Sequence, residues 1–191
     1  MNEEDEDGSM RSEITQSTAR KQLYRYFVRT LRALPAELAL SLFHPEIPQA
    51  QLHNGVALPC EDTDQEFDSE FFDIAYWVTG TTPDTVDEYF DLIVRSWNEF
   101  GWPTRTDRSS RPRAAYTRTS DRFGLSVRQS VDGSLSISGS TPPFAADSAV
   151  GKPLPQFIEH PLGTPAEAGP ATPSTETDKH RSNPWTRKDS Q

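Results

Sequence analysis

FFDIAYWVTGTTPDTVDEYFDLIVRSWNEFGW, residues 71–102, is the stretch on which the fold turns. Its first half alternates apolar and polar residues, the period of a half-buried strand; its second half carries Val86, Tyr89, Phe90, Ile93, Val94, Trp97 and Phe100 at the spacing of one helical stripe. The junction predicts where one period gives way to the other. Thr82 is placed to cap the first free amides, Pro83 suits a first helical position, Asp84 favours the positive end of the helix dipole, and Gly101 with Pro103 stops the helix.

Upstream, Thr15 follows Ser12 as a capping pair, and Ile14, Ala19, Leu23, Tyr26, Phe27, Leu31 and Leu34 predict a first helix ending at Pro35. Lys21, Arg25, Arg29 and Arg32 form a basic stripe on another of its faces, read either as a solvated side or as a calmodulin-type or membrane-surface helix. Leu38 to Phe43 reads as a short strand. His44 to Gln65, with Pro45, Pro48, Asn54-Gly55 and Pro59, reads as a long irregular loop and is a candidate site by its length.

Downstream, Ala114–Thr119, Phe123–Gln129 and Leu135–Gly139 read as three strands, the last two joined through Asp132-Gly133. The order α-β-β-α-β-β-β predicts an α+β fold: an antiparallel sheet of about five strands with two helices packed on one face. The expected organisation is a disordered acidic leader over residues 1–9, a domain over 10–150, and a Pro/Thr/Ser-rich disordered tail over 151–191 holding Trp185 in the segment NPWTRK.

The chain has 191 residues and a formal charge of −10, which argues against nucleic acid and anionic membranes as partners. The charge is segregated. Residues 61–91 hold eleven acids and no base, whereas residues 105–128 hold seven arginines and two acids. Such blocks either pair within the fold or dock a partner of opposite sign. Cys60 is the single cysteine, so an intramolecular disulfide and a multi-cysteine metal site are both excluded. No run of about 20 apolar residues is present to span a bilayer.

Motifs for phosphate loops, zinc proteases, serine hydrolases and paired-cysteine redox sites are missing, so no catalytic residue, cofactor or metal is implied. Two contact surfaces remain. A partner protein would meet the long loop and the charged sheet edges; alternatively the chain is a small-ligand binder or weak enzyme, with a pocket lined by Tyr76, Trp77, Tyr89 and Trp97 and polar groups from His44, His53 or Arg113. The residues named as possible contacts are His44, His53, Tyr76, Trp77 and Arg113. A third reading places the arginine block on nucleic acid. Oligomeric state is left open.

The segments RTLRALP (29–35), ALPCEDTD (57–64), IAYWVTGTTPDTVDEYFDLIVRSWNEFGW (74–102) and DGSLSISGSTPPF (132–144) together resemble actinobacterial LppA-like lipoproteins, over roughly Ser12 to Phe144. The resemblance implies an envelope domain of undefined molecular role that follows a lipid-attachment cysteine and, in many members, carries an intrachain disulfide. Here Cys60 takes the first cysteine position, while Thr141-Pro142-Pro143-Phe144 takes the second without one. As written, the sequence also shows no lipidation signal ahead of the domain. The expectation is a cytoplasmic relative, or a lipid-anchored envelope protein if the start lies further upstream.

Overall fold

The computed structural model describes residues 14–47, 49–60 and 68–163. The expected acidic leader, the acids Glu61 to Glu66 and Trp185 lie outside the described residues. The elements are α1 (Gln16–Arg32), β1 (Ala39–Ser41), β2 (Val56–Pro59), β3 (Ser69–Thr79), α2 (Val86–Glu99), β4 (Thr104–Thr106), β5 (Ala114–Arg118), β6 (Gly124–Gln129), β7 (Leu135–Ser140), β8 (Phe144–Ala145) and β9 (Phe157–Ile158).

β3 is the spine. Its eleven residues pair antiparallel with β7 and β8 along one edge and with β1 and β2 along the other, so four strands register on one. The sheet continues outward as β7-β6-β5-β4 on one side and β1-β9 on the other. The alternation read from the sequence sets its faces: Phe72, Ile74, Tyr76 and Val78 are buried. Val86, Phe90, Ile93 and Trp97 of α2 and Leu23, Phe27 and Leu31 of α1 meet them in one apolar core. Burying such side chains contributes about 1.5–3 kcal/mol each before chain entropy is charged against it.

The α+β architecture, with two helices and an antiparallel sheet, agrees with the sequence reading, but the sheet has nine strands rather than about five. The additional strands are short. β2 lies inside the stretch expected to be irregular loop, β4 is Thr-Arg-Thr, and β8 and β9 have two residues each. Runs this short have no period to read, and the exposed backbone edge of a longer strand recruits them.

The cap of α1 is Thr15, three residues past the Ser12 that the sequence suggested, and its hydroxyl accepts from the Thr18 amide in a reciprocal capping box. α2 begins three residues later than the sequence implied. The Thr85 and Val86 amides both donate to the Thr82 carbonyl, forming a turn over 82–85, and the Thr85 hydroxyl accepts from the Thr82 amide. Thr82 is therefore not a side-chain cap, and Pro83 lies in that turn.

The domain also extends past the boundary expected at residue 150. β9 pairs with β1, Leu154 and Ile158 are buried, and His160 is 6% exposed, its Nε2 donating to the Leu34 carbonyl at 3.0 Å. Residues 151–163 thus close the β1 edge of the sheet.

Side chains of α1 pack directly over Gly139 of β7. A Cβ there would stand 2.6 Å from Leu23 Cδ1 and 2.8 Å from Phe27 Cζ. Gly139→Val should cost about 1–3 kcal/mol by overpacking. The check is the urea midpoint; an unchanged midpoint would show that α1 yields freely over this position.

Candidate functional site

The side of the sheet opposite the helices carries a different set of residues, and the register assembles them into rows. Ala75, Ser138, Ser126, Tyr116 and Arg105 lie side by side across β3, β7, β6, β5 and β4. Asp73, Ser140, Gly124 and Arg118 form the row on one side of it; Trp77, Ser136, Arg128 and Ala114 form the row on the other. Small side chains in the middle leave a depression of about 460 Å³, edged by Arg105, Tyr116, Arg118 and Arg128 and bounded across the sheet by Asp73. Each is held by a paired strand position and not by a loop.

Five of the seven arginines of the 105–128 block form two groups. Arg111 and Arg113 face α2: Arg111 meets Asp87 at 2.8 Å, and Arg113 meets Asp91 at 2.8 Å and Asp87 at 3.3 Å while lying over the Phe90 ring. Arg105, Arg118 and Arg128 have no carboxylate within 4.0 Å among the described residues. Arg128 instead stands over the Tyr116 ring, 5.8 Å from its centre. The net charge is unevenly distributed too. Of 29 acids and 19 bases, the described residues hold 15 and 14; residues 1–13 hold six acids and one arginine, and residues 61–67 hold four acids. The folded domain is close to neutral, and three of its cations without a carboxylate partner among the described residues lie on this face.

Asp87 shows what carboxylates do for the paired arginines. Hydrogen bonds from Arg111, then Gln129, together with the charges of Arg111 and Arg113, lower its pKa from 3.8 to about 2. A depressed folded-state pKa gives stability that is fully present above the unfolded value and is lost as pH falls through the folded one. Stability should therefore decline between about pH 4 and about pH 2, and Asp87→Asn should flatten that part of the profile. Urea titrations across this window test it; identical slopes for the two proteins would refute the assignment.

Asp73 is shifted the other way. Desolvation by burial raises its pKa, partly offset by the charges of His53 and Arg128.

The residues expected at a site are scattered. His44 and Trp77 do come together, edge to face with ring centres 4.7 Å apart. Their polar atoms serve the loop: His44 Nδ1 accepts from the Glu46 and Ile47 amides, and Trp77 Nε1 donates to the Ala50 carbonyl. With Nδ1 occupied as an acceptor, Nε2 of the neutral ring carries the proton and donates to Ser134 Oγ at 2.8 Å. That polarity is the reverse of a base activating a serine. Tyr76 is fully buried on the helix side, its hydroxyl donating to the Pro155 carbonyl. Arg113 is in its ion pairs, and His53 is exposed on the segment leading to β2.

The aromatic pocket considered from sequence does not assemble. Tyr76 and Trp97 are core residues at 0% exposure, Trp77 lies on the opposite face, and Tyr89 is half-buried and donates to Glu37. A side chain and its strand neighbour point to opposite faces, so Tyr76 and Trp77 cannot line one pocket. The signal for the observed face was alternation, Ser136-x-Ser138-x-Ser140 and Tyr116-x-Arg118, but only the register brings these runs together.

Among the described residues no group of three or more His, Cys, Asp or Glu is placed to hold a metal ion, and no helix is long and apolar enough to cross a membrane. Comparison with protein-family models, curated proteins and solved structures gives no match in any of the three, so this site stands on its own geometry.

Proposed function

We propose that the chain is a noncatalytic binding domain whose open sheet face takes an extended acidic segment of a protein partner. One observation carries the reading: Arg128, Arg105 and Arg118 occupy three successive rows of one sheet face without carboxylate partners among the described residues. Successive rows are two residues apart, about 6.8 Å along a strand. An extended peptide presents every second side chain on one side at that same interval. Asp or Glu at alternate positions would meet the three arginines in turn, with Tyr116 beneath and small serines leaving room for the backbone. Asp73, across the sheet on β3, repels the acids and confines the segment to β4–β6. Kinship with LppA-like lipoproteins, also a proposal, suits a domain that holds a partner without chemistry.

The probe is a fluorescein-labelled peptide, Glu-Thr-Glu-Thr-Glu-Thr, titrated with the full chain at low salt. A peptide of equal composition but blocked order, Glu-Glu-Glu-Thr-Thr-Thr, and a mixed-sequence single-stranded DNA are run beside it. Preference for the alternating order supports the proposal. Equal binding of the two orders, or tighter binding of the DNA, would overturn it, the second result turning the face over to nucleic acid.

A further inference from the structure

A second cationic surface lies on the helix side and is independent of the sheet face. Lys21, Arg25, Arg29 and Arg32 run along the exposed side of α1 at intervals of four, four and three residues, which places them in one row. Beside that row is a groove of about 540 Å³ floored by Tyr24, Val28, Ala33 and Phe100. Arg29 is held over the Phe100 ring at 4.3 Å, and Arg25 donates to Gln22, but none of the four cations has a carboxylate within 4.0 Å among the described residues. Four like charges on consecutive turns repel one another and call for an acidic occupant.

We infer that this occupant is the chain's own acidic leader, Met1 to Glu13, through the run Glu3-Glu4-Asp5-Glu6-Asp7. Three features single it out. The charges match, since the leader holds six acids and one arginine whereas the described residues are close to neutral. The tether is short: the leader joins the fold at Ile14, the acid run lies seven to eleven residues before it, and a chain of that length spans up to about 24–37 Å. Lys21 to Arg32 lie about 10–27 Å from Ile14 along the helix axis. Tethering by so short a segment gives an effective concentration of order millimolar, so an intrinsically weak contact is enough. Met1 and Met10, the leader's only apolar residues, bracket the acids and are adaptable enough to lie on Tyr24, Val28 and Phe100. A second copy of the chain would set the same row of cations against itself.

The test compares amide nuclear magnetic resonance spectra of the full chain with those of a variant carrying Glu3→Gln, Glu4→Gln, Asp5→Asn, Glu6→Gln and Asp7→Asn. Neutralising the leader is expected to move the signals of residues 21–33 and Phe100, and about 0.5 M salt should produce the same shifts in the unaltered chain, since ions screen exposed pairs beyond about 3–10 Å. The variant Arg25→Gln/Arg29→Gln should lose the response to salt. Unmoved α1 signals would overturn the inference, as would shifts centred on Arg105, Arg118 and Arg128, which would put the leader on the sheet face, or shifts that grow with protein concentration, which would mean contact between copies.

Discussion

Reversing Arg118 and Arg128 together, as Arg118→Glu/Arg128→Glu, should weaken binding of the alternating acidic peptide by about thirtyfold to a thousandfold at low salt. The magnitude follows from exposure. Both guanidinium groups are exposed, and an exposed ion pair contributes about 0.2–1 kcal/mol. Reversal removes that attraction and adds repulsion of similar size, so two positions at the upper end amount to about 2–4 kcal/mol, where 1.4 kcal/mol is tenfold. Each substituted side chain leaves the solvent side of a paired strand and none enters the core, so the folding midpoint should hardly move. Reversing Arg111 instead should disturb the Asp87 pair and leave peptide affinity alone, because that side chain faces α2. Loss of affinity in the Arg111 variant, with none in the sheet-face variant, would defeat the proposed site.

Why this face was not legible in the sequence, while the core was, comes down to the range of the interactions. Phe72, Ile74, Tyr76 and Val78, and likewise Val86, Phe90, Ile93 and Trp97, announce their element because the period runs long enough to be seen within one segment. Arg105, Tyr116, Ser126 and Ser138 share a row only after four strands have paired. Nothing local to any one of them records the other three. The arginine block was visible as composition, yet composition does not separate Arg113, spent on Asp87 and Asp91, from Arg118, which is not.

His44 shows the same limit from the other side. In sequence it is a histidine in a Pro-rich stretch, open to ligand or catalytic readings; in the fold, two backbone amides take its Nδ1 and thereby set the direction of its bond to Ser134. The short strands follow this logic too. Val56–Pro59 becomes β2 because β3 is long enough to offer it an edge, and Phe157–Ile158 becomes β9 because β1 does. Their structure is conferred by partners far along the chain.

Trp97→Ala should be the most damaging single substitution in the core, because it removes both the largest fully buried side chain and a polar tie between the helices. Trp97 is 0% exposed, and its Nε1 donates to Thr30 Oγ1 at 3.0 Å, joining α2 to α1. Truncating a buried Trp costs about 3–5 kcal/mol. The lost bond adds less than a full unsatisfied group, since the Thr30 hydroxyl can turn back to a carbonyl of its own helix. Against a total stability of about 5–15 kcal/mol, the substitution removes at least a fifth and in a marginal domain nearly all. Two milder changes separate packing from the bond. Thr30→Val leaves the indole N–H buried without its acceptor, at about 1–3 kcal/mol. Trp97→Phe removes the N–H together with some area, and in that background Thr30→Val should cost clearly less than it does alone, a coupling a double-mutant cycle reads directly. Equal costs in both backgrounds would mean that the bond contributes nothing to holding the helices together. Because the helices pack on one side of the sheet and the arginine rows lie on the other, Trp97→Phe should leave affinity for the acidic peptide unchanged while the protein is folded. If affinity fell in step with stability, the open face would depend on the helix layer beneath it, and the separation between scaffold and binding surface would fail.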